Sequence, residues 1–117
     1  MGVDTREKRK ALQRAYKETA EVGSVSIYQN KQNGKYLILV EPNEKGAESR
    51  FQFSVKTGSC IHPALIKDWE AFGPEAFSRT VLETLKKKPE QTSHEFQEDL
   101  ETLAEMHRSQ WNKEMSY

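Results

Sequence analysis

A thiol and an imidazole stand one residue apart in Ser59-Cys60-Ile61-His62-Pro63, a spacing that offers a soft metal two ligands or gives a nucleophilic thiolate a neighbouring base. Two ligands do not close a tetrahedral site, and no third metal-ligating side chain is apparent nearby in the chain. The competing expectation is a small buried thiol beside a histidine that caps the segment opened by Pro63. Charge is distributed unevenly in ways that matter for phosphate chemistry. The first twenty residues hold six Lys/Arg against three Asp/Glu, while Glu90 to Glu105 hold six Asp/Glu and no Lys/Arg. The basic segment presents a face that is either solvated or phosphate-binding, and the acidic one suits the positive end of a helix dipole and repels phosphates.

These groups sit on a chain of 117 residues, enough for one core and not for two. Charged residues make up 31% and hydrophobic ones 35%, so the core is modest, yet two Trp, five Phe and four Tyr argue against disorder. Formal net charge is zero, which excludes a polycation-binding coat and confines any nucleic-acid contact to a local patch. The single cysteine, Cys60, excludes an internal disulfide and paired-cysteine metal sites, and it fits a reducing compartment. No apolar run approaches the ~18 to 20 residues that span a bilayer, and the N-terminus is charged, so the expectation is a cytoplasmic protein with no membrane partner.

The elements that must position these residues follow from periodicity. Asp4-Thr5-Arg6-Glu7 resembles a helix cap, and Ala11, Leu12, Ala15, Tyr16 and Thr19 continue at helical spacing, predicting a basic helix from about residue 4 to 20. Val25 to Tyr28 and Tyr36 to Val40 flank Asn33-Gly34, which predicts a hairpin closed by a two-residue turn with positive φ angles. The second run is apolar on both faces, with Tyr36, Ile38 and Val40 on one and Leu37 and Leu39 on the other, as a central strand covered twice would be. Between Asn43 and Gly58 the pattern is divided: Phe51, Phe53 and Val55 alternate like a strand, whereas Ala47, Arg50, Phe51 and Ser54 fit a helix. Leu65, Trp69 and Phe72 predict a short amphipathic helix between His62-Pro63 and Gly73-Pro74, and Phe77 to Leu85 fits either helix or strand. Thr92-Ser93-His94-Glu95 forms a capping box ahead of the stripe Phe96, Leu100, Leu103, His107 and Trp111, which reads as core packing on a last helix.

Taken together, Ser26-Ile27-Tyr28, Asn33-Gly34-Lys35, Leu37-Ile38-Leu39, Arg50 and the run Asp68-Trp69-Glu70-Ala71-Phe72-Gly73-Pro74-Glu75-Ala76-Phe77 resemble the GIY-YIG nuclease superfamily. The likeness runs from about Val25 to Leu85, continues more loosely into the last helix, and is close to small bacterial stand-alone members that also begin with a basic helix. It implies an α+β fold in which a small three-stranded antiparallel sheet is flanked by helices, in the order strand, strand, helix, helix, strand, helix, with an extra N-terminal helix. A single domain over 1–117 is then divided into the basic helix (1–22), the hairpin, helices and third strand (24–85), and the C-terminal helix (92–114). It also turns Asn43 to Lys56 into a helix and Phe77 to Leu85 mostly into a strand.

The resemblance implies a site as well. Phosphodiester cleavage needs a base for water, a cation near the developing charge and a metal at the phosphate. Family members use two tyrosines from the hairpin, an arginine from the next helix and a glutamate from the last helix that holds one divalent metal. Tyr28 and Arg50 fall on the first tyrosine and the arginine, the retained catalytic positions. The second tyrosine falls on Leu37, and the signature glycines fall on Ser26 and Leu39. Tyr36 is adjacent to Leu37, but a one-residue shift in a strand points it to the opposite face. The metal-binding glutamate falls on Ala104, with Glu101 and Glu105 the nearby carboxylates that could hold Mg²⁺ or Mn²⁺, needed only if the protein cleaves. Arg50, Lys35 and Lys56 are the expected nucleic-acid-binding cations. Three functions follow: a catalytically impaired nuclease-like protein with residual nucleic-acid binding, a protein-interaction or ligand-sensing module using the face of Leu37 and Leu39, and an active metal-dependent endonuclease using Glu101 or Glu105.

Overall fold

The computed structural model describes residues 21–117; the helix expected over residues 4 to 20 lies outside the described residues. The described chain is α+β. Strand β1 (Val22–Asn30) and strand β2 (Tyr36–Glu41) form a hairpin, helices α1 (Glu44–Thr57) and α2 (Ile66–Phe72) follow, then strand β3 (Phe77–Lys86) and helix α3 (Ser93–Arg108). The three strands make one antiparallel sheet in the order β2-β1-β3. Among the described residues no helix is long and apolar enough to cross a membrane.

Side-chain alternation sends the two faces of the sheet to different helices. On one face Tyr28 and Phe77 pack with Phe51, Leu65, Trp69 and Ala76, supplied by α1, α2 and the short 3₁₀ turns around α2. On the other, Val25, Ile27, Tyr36 and Ile38 pack against Ala104 of α3. Each fully buried aromatic or branched aliphatic side chain contributes roughly 1.5–3 kcal/mol through the water it gives up. The strand β1 is buried on both faces from Gly23 to Tyr28.

The central strand is therefore β1, not β2. The double coverage expected of β2 is present, since Leu37 and Leu39 pack with the Tyr28 cluster and Val40 with the Ile38 cluster. The position is not central, because a strand at the edge is apolar on both faces wherever helices cover both. Two of its outward carbonyls are also occupied: the Tyr117 N–H donates to the Tyr36 carbonyl at 2.8 Å, and Arg108 Nη2 donates to the Ile38 carbonyl at 2.9 Å.

The hairpin turn also differs from the two-residue form. The Asn30 N–H donates to the Lys35 carbonyl at 2.9 Å across a four-residue loop, Lys31 to Gly34, in which Gly34 alone has a positive φ, 77°. The asparagines explain the longer loop. Asn30 Oδ1 accepts from the Gln32 N–H, Asn33 Oδ1 accepts from the Lys35 N–H, and both side-chain amides donate to Asp68 Oδ2.

The divided segment is a helix, capped by the Asn43 side chain, which accepts from the Gly46 N–H, and ended by Gly58 in the left-handed region at φ 80°. Phe51 and Val55 face inward one turn apart, while Phe53 is 63% exposed, so the apparent strand alternation came from an aromatic residue that is not core. His62 opens the next segment with its Nδ1 accepting from the Ala64 N–H at 3.1 Å, and Trp69 Nε1 donates to the Gly58 carbonyl at 2.9 Å, tying α2 to the end of α1. Phe72 is exposed, which reduces the expected stripe to Leu65 and Trp69. The segment from Phe77 is a strand, and the capping box of Thr92 and Glu95 closes with both bonds at 3.1 Å.

Candidate functional site

Tyr28 lies on the central strand, with Leu37 and Arg79 directly opposite it on β2 and β3. A phenol at a cleavage site would need a free oxygen facing the substrate. Here the Tyr28 hydroxyl donates to Glu41 Oε2 at 2.8 Å and accepts from Arg79 Nε at 3.1 Å, so both of its roles are taken inside the protein. Burial, and next the Glu41 carboxylate, push the hydroxyl well above the ordinary phenol range. It is a held donor, not a base.

Arg79 is the centre of this arrangement. Its side chain is 1% exposed, and it donates to Glu41 Oε1 at 3.0 Å from Nη2, to Glu48 Oε2 at 2.7 Å from Nη1, to Ser26 Oγ at 3.0 Å, and also to Glu44. Burial alone would lower its pKa, but the bonds to Glu44 and Glu41 outweigh that and hold it charged. Gln52 first, then Arg79, hold Glu48 below the usual carboxylate range. Glu41 closes β2, and Glu44 and Glu48 follow on the first two turns of α1, so three carboxylates converge on one guanidinium. A phosphate entering this face would meet more negative than positive charge.

Sequence reasoning did not single out Arg79. Its signal was present in two places: an arginine two residues after Phe77 in a segment whose alternate side chains turn inward, and glutamates at 41, 44 and 48, the last two a helical turn apart on one side of α1. The other residues singled out divide into three groups. Leu37 and Leu39 lie beside Tyr28 in its cluster, half-buried, and Tyr36 is on the opposite face with its ring 5.4 Å from that of Trp111. Arg50, Cys60 and His62 come together with Tyr28, Leu39, Phe53 and Ile61 around a cavity of about 630 Å³. Within it Cys60 Sγ donates to the His62 carbonyl at 3.2 Å, and His62 uses Nδ1 as a cap, so the thiol and Nδ1 are both committed within the protein.

Glu101 and Glu105 do not join them. They are on α3, which covers the other face of the sheet, and both pair with Arg108, at 3.7 Å and 2.5 Å. Ala104, the position implied for a metal-binding glutamate, is fully buried against Val25, Ile27, Tyr36 and Ile38. Among the described residues no three His, Cys, Asp or Glu side chains are grouped as a metal would require. Lys35 follows the hairpin loop with its Nζ 5.7 Å from the Tyr117 ring centre and does not line the cavity that Arg50 borders.

Helix α1 carries a second arrangement. At 100° per residue, Arg50, Phe53 and Lys56 step round the helix by about 60° each, and Lys45 falls within about 20° of the line of Lys56. Phe53 thus sits between Lys56 on one side and Arg50 on the other, each about 4.5 Å away along the axis, with Lys45 about 12 Å away on the line of Lys56, and all four are exposed. Lys45, Arg50 and Lys56 form no ion pair among the described residues, whereas Glu44 and Glu48 of the same helix are turned to Arg79. Charge is segregated across α1, with acids inward and cations outward.

No family model, no curated protein and no solved structure matches this chain.

Proposed function

We propose that this chain is a GIY-YIG-like protein that does not cleave phosphodiesters and binds nucleic acid through the outward face of α1. The order of elements agrees with the fold that the resemblance implies, but a fold hosts many functions, so the reading rests on the site. One observation carries it: the acids of α1 are turned inward to a buried arginine, and on the opposite side of the same helix an exposed aromatic ring stands between Arg50 and Lys56, with Lys45 further along, three cations that form no ion pair among the described residues. Catalysis is disfavoured by the commitment of Tyr28 to Glu41 and Arg79, by Leu37 in place of a second tyrosine, and by the placement of Glu101 and Glu105 across the sheet. The function therefore requires neither Mg²⁺ nor Mn²⁺.

Binding is tested by titrating an oligonucleotide at two salt concentrations. With about three phosphates neutralised, affinity is expected to fall roughly 20- to 40-fold between 50 and 200 mM salt, and Arg50→Ala is expected to weaken binding and flatten that dependence. A titration that stays flat to ~100 μM, the weak end of non-specific binding, would remove the reading. Incubation of plasmid and single-stranded DNA with Mg²⁺ or Mn²⁺ is expected to leave both intact. Cleavage that vanishes in Tyr28→Phe would overturn the non-catalytic part.

A further inference from the structure

We propose that the strand taken by this face is single-stranded, with an unstacked base lying on Phe53 and the adjoining cavity receiving that base or its neighbour. This deepens the nucleic-acid-binding reading and rests on it. A helix of 14 residues with a modest inward face has no packing reason to carry a phenylalanine that is 63% exposed, and Phe53 is the most exposed of the large apolar side chains described. Single exposed apolar residues are common and need no function by themselves. Phe53 differs in its surroundings: Lys56 on one flank and Arg50 on the other, each within one helical turn, and a concave space of about 630 Å³ at its edge.

That space has mixed walls. Leu39 and Ile61 give it apolar sides for the face of a ring, while Arg50 and His62 bring polar groups to it. The carboxylate of Glu41 also borders it, with its oxygens engaged by Tyr28 and Arg79, so the space suits an uncharged base and not a phosphate. The volume lies within the ~300–1,000 Å³ of pockets that hold small organic molecules. An aromatic ring flanked by cations is the arrangement that binds single strands, with bases stacked on the ring and phosphates tracked by Lys and Arg. In a duplex the bases are already stacked on one another and present only their edges in the grooves, so a duplex could use the cations and not Phe53. The combination of ring, cavity and cations therefore favours the strand whose bases are free.

Three probes of equal length separate these contributions in the full chain: oligo-dT, a duplex, and a strand of abasic deoxyribose phosphates. Oligo-dT is expected to bind at least about tenfold tighter than either of the others at the same salt, since stacking of one base is worth roughly 5- to 150-fold. Phe53→Ala is expected to erase that advantage and leave duplex binding within about twofold, and Phe53→Tyr is expected to retain it. Matching thermal melts of the variants would show that an exposed side chain was removed without loss of fold. Equal affinity for all three probes, unchanged in Phe53→Ala, would overturn the stacking proposal while leaving phosphate binding by α1 in place. Failure of every probe to bind would instead overturn the nucleic-acid reading on which it rests.

Discussion

Replacing Arg79 with methionine removes the one cation that three glutamates share, and the size of the effect follows from how little water reaches them. The Glu41 side chain is 9% exposed, and in the variant one of its oxygens keeps the Tyr28 hydroxyl while the other loses the guanidinium. Glu44 and Glu48 are more exposed and can turn toward solvent, so the main cost falls on Glu41. Breaking a buried pair by removing one partner costs about 3–5 kcal/mol, which is a large fraction of the roughly 5–15 kcal/mol that holds a small domain together. With a urea slope of about 1.5 kcal/mol/M, the unfolding midpoint followed by tryptophan fluorescence should fall by roughly 2–3 M. Adding Glu41→Gln to the variant removes the stranded charge and is expected to restore a substantial part of the loss, although Glu41→Gln alone destabilises the parent. Such opposite effects of one substitution in two backgrounds are what coupled residues produce. A loss below about 1 kcal/mol in Arg79→Met, the level of an exposed ion pair, would show that Glu41 is not stranded without the guanidinium, as would a Glu41→Gln effect that is the same in both backgrounds.

Two further outcomes are expected. A Cβ added at Gly23 would lie 2.7 Å from Leu100 Cδ1 and 2.9 Å from Phe96 Cζ, both in fully buried side chains of α3, so Gly23→Ala should cost about 1–3 kcal/mol by overpacking, seen as a lower melting temperature. The Tyr117 hydroxyl first, then Asn33 and Asn30, hold Asp68 below the usual carboxylate range, which means that its contribution is present above pH ~4 and is lost as pH falls through the depressed folded value. Urea midpoints measured between pH 5 and 3 should fall less steeply in Asp68→Asn than in the parent, and identical slopes would show that Asp68 adds nothing.

Much of the fold was legible because its signals are local. Thr92 and Glu95 announce the last helix through a capping pair, and Leu65 and Trp69 mark the inward side of the segment after Pro63. Centrality in the sheet was not legible in the same way. The run from Tyr36 to Val40 shows that both faces are covered, but which strand lies in the middle is decided by the long-range pairing of β1 with β3. The helical state of α1 was obscured by Phe53, whose hydrophobicity suggests burial although the ring is outside. Tyr28 and Arg50 were visible by resemblance, whereas the buried arginine was not, because Arg79 gains its meaning from glutamates 31 to 38 residues earlier that only the folded sheet brings to it.

The guanidinium of Arg79 also limits how this face can change by mutation. A substitution that removes Glu41 to make room for an anion leaves Arg79 less compensated, and one that removes Arg79 leaves Glu41 stranded. Each single step carries a stability penalty before it brings any benefit, and the two serines that complete the guanidinium's contacts offer no carboxylate to replace what is lost. Paths that convert this side of the sheet to a new chemistry must therefore change at least two positions nearly together. The outward side of α1 is free of that constraint, since Lys45, Arg50, Phe53 and Lys56 can vary one at a time with little effect on folding. Sequence change is accordingly easiest on the one side of the helix that the core does not use.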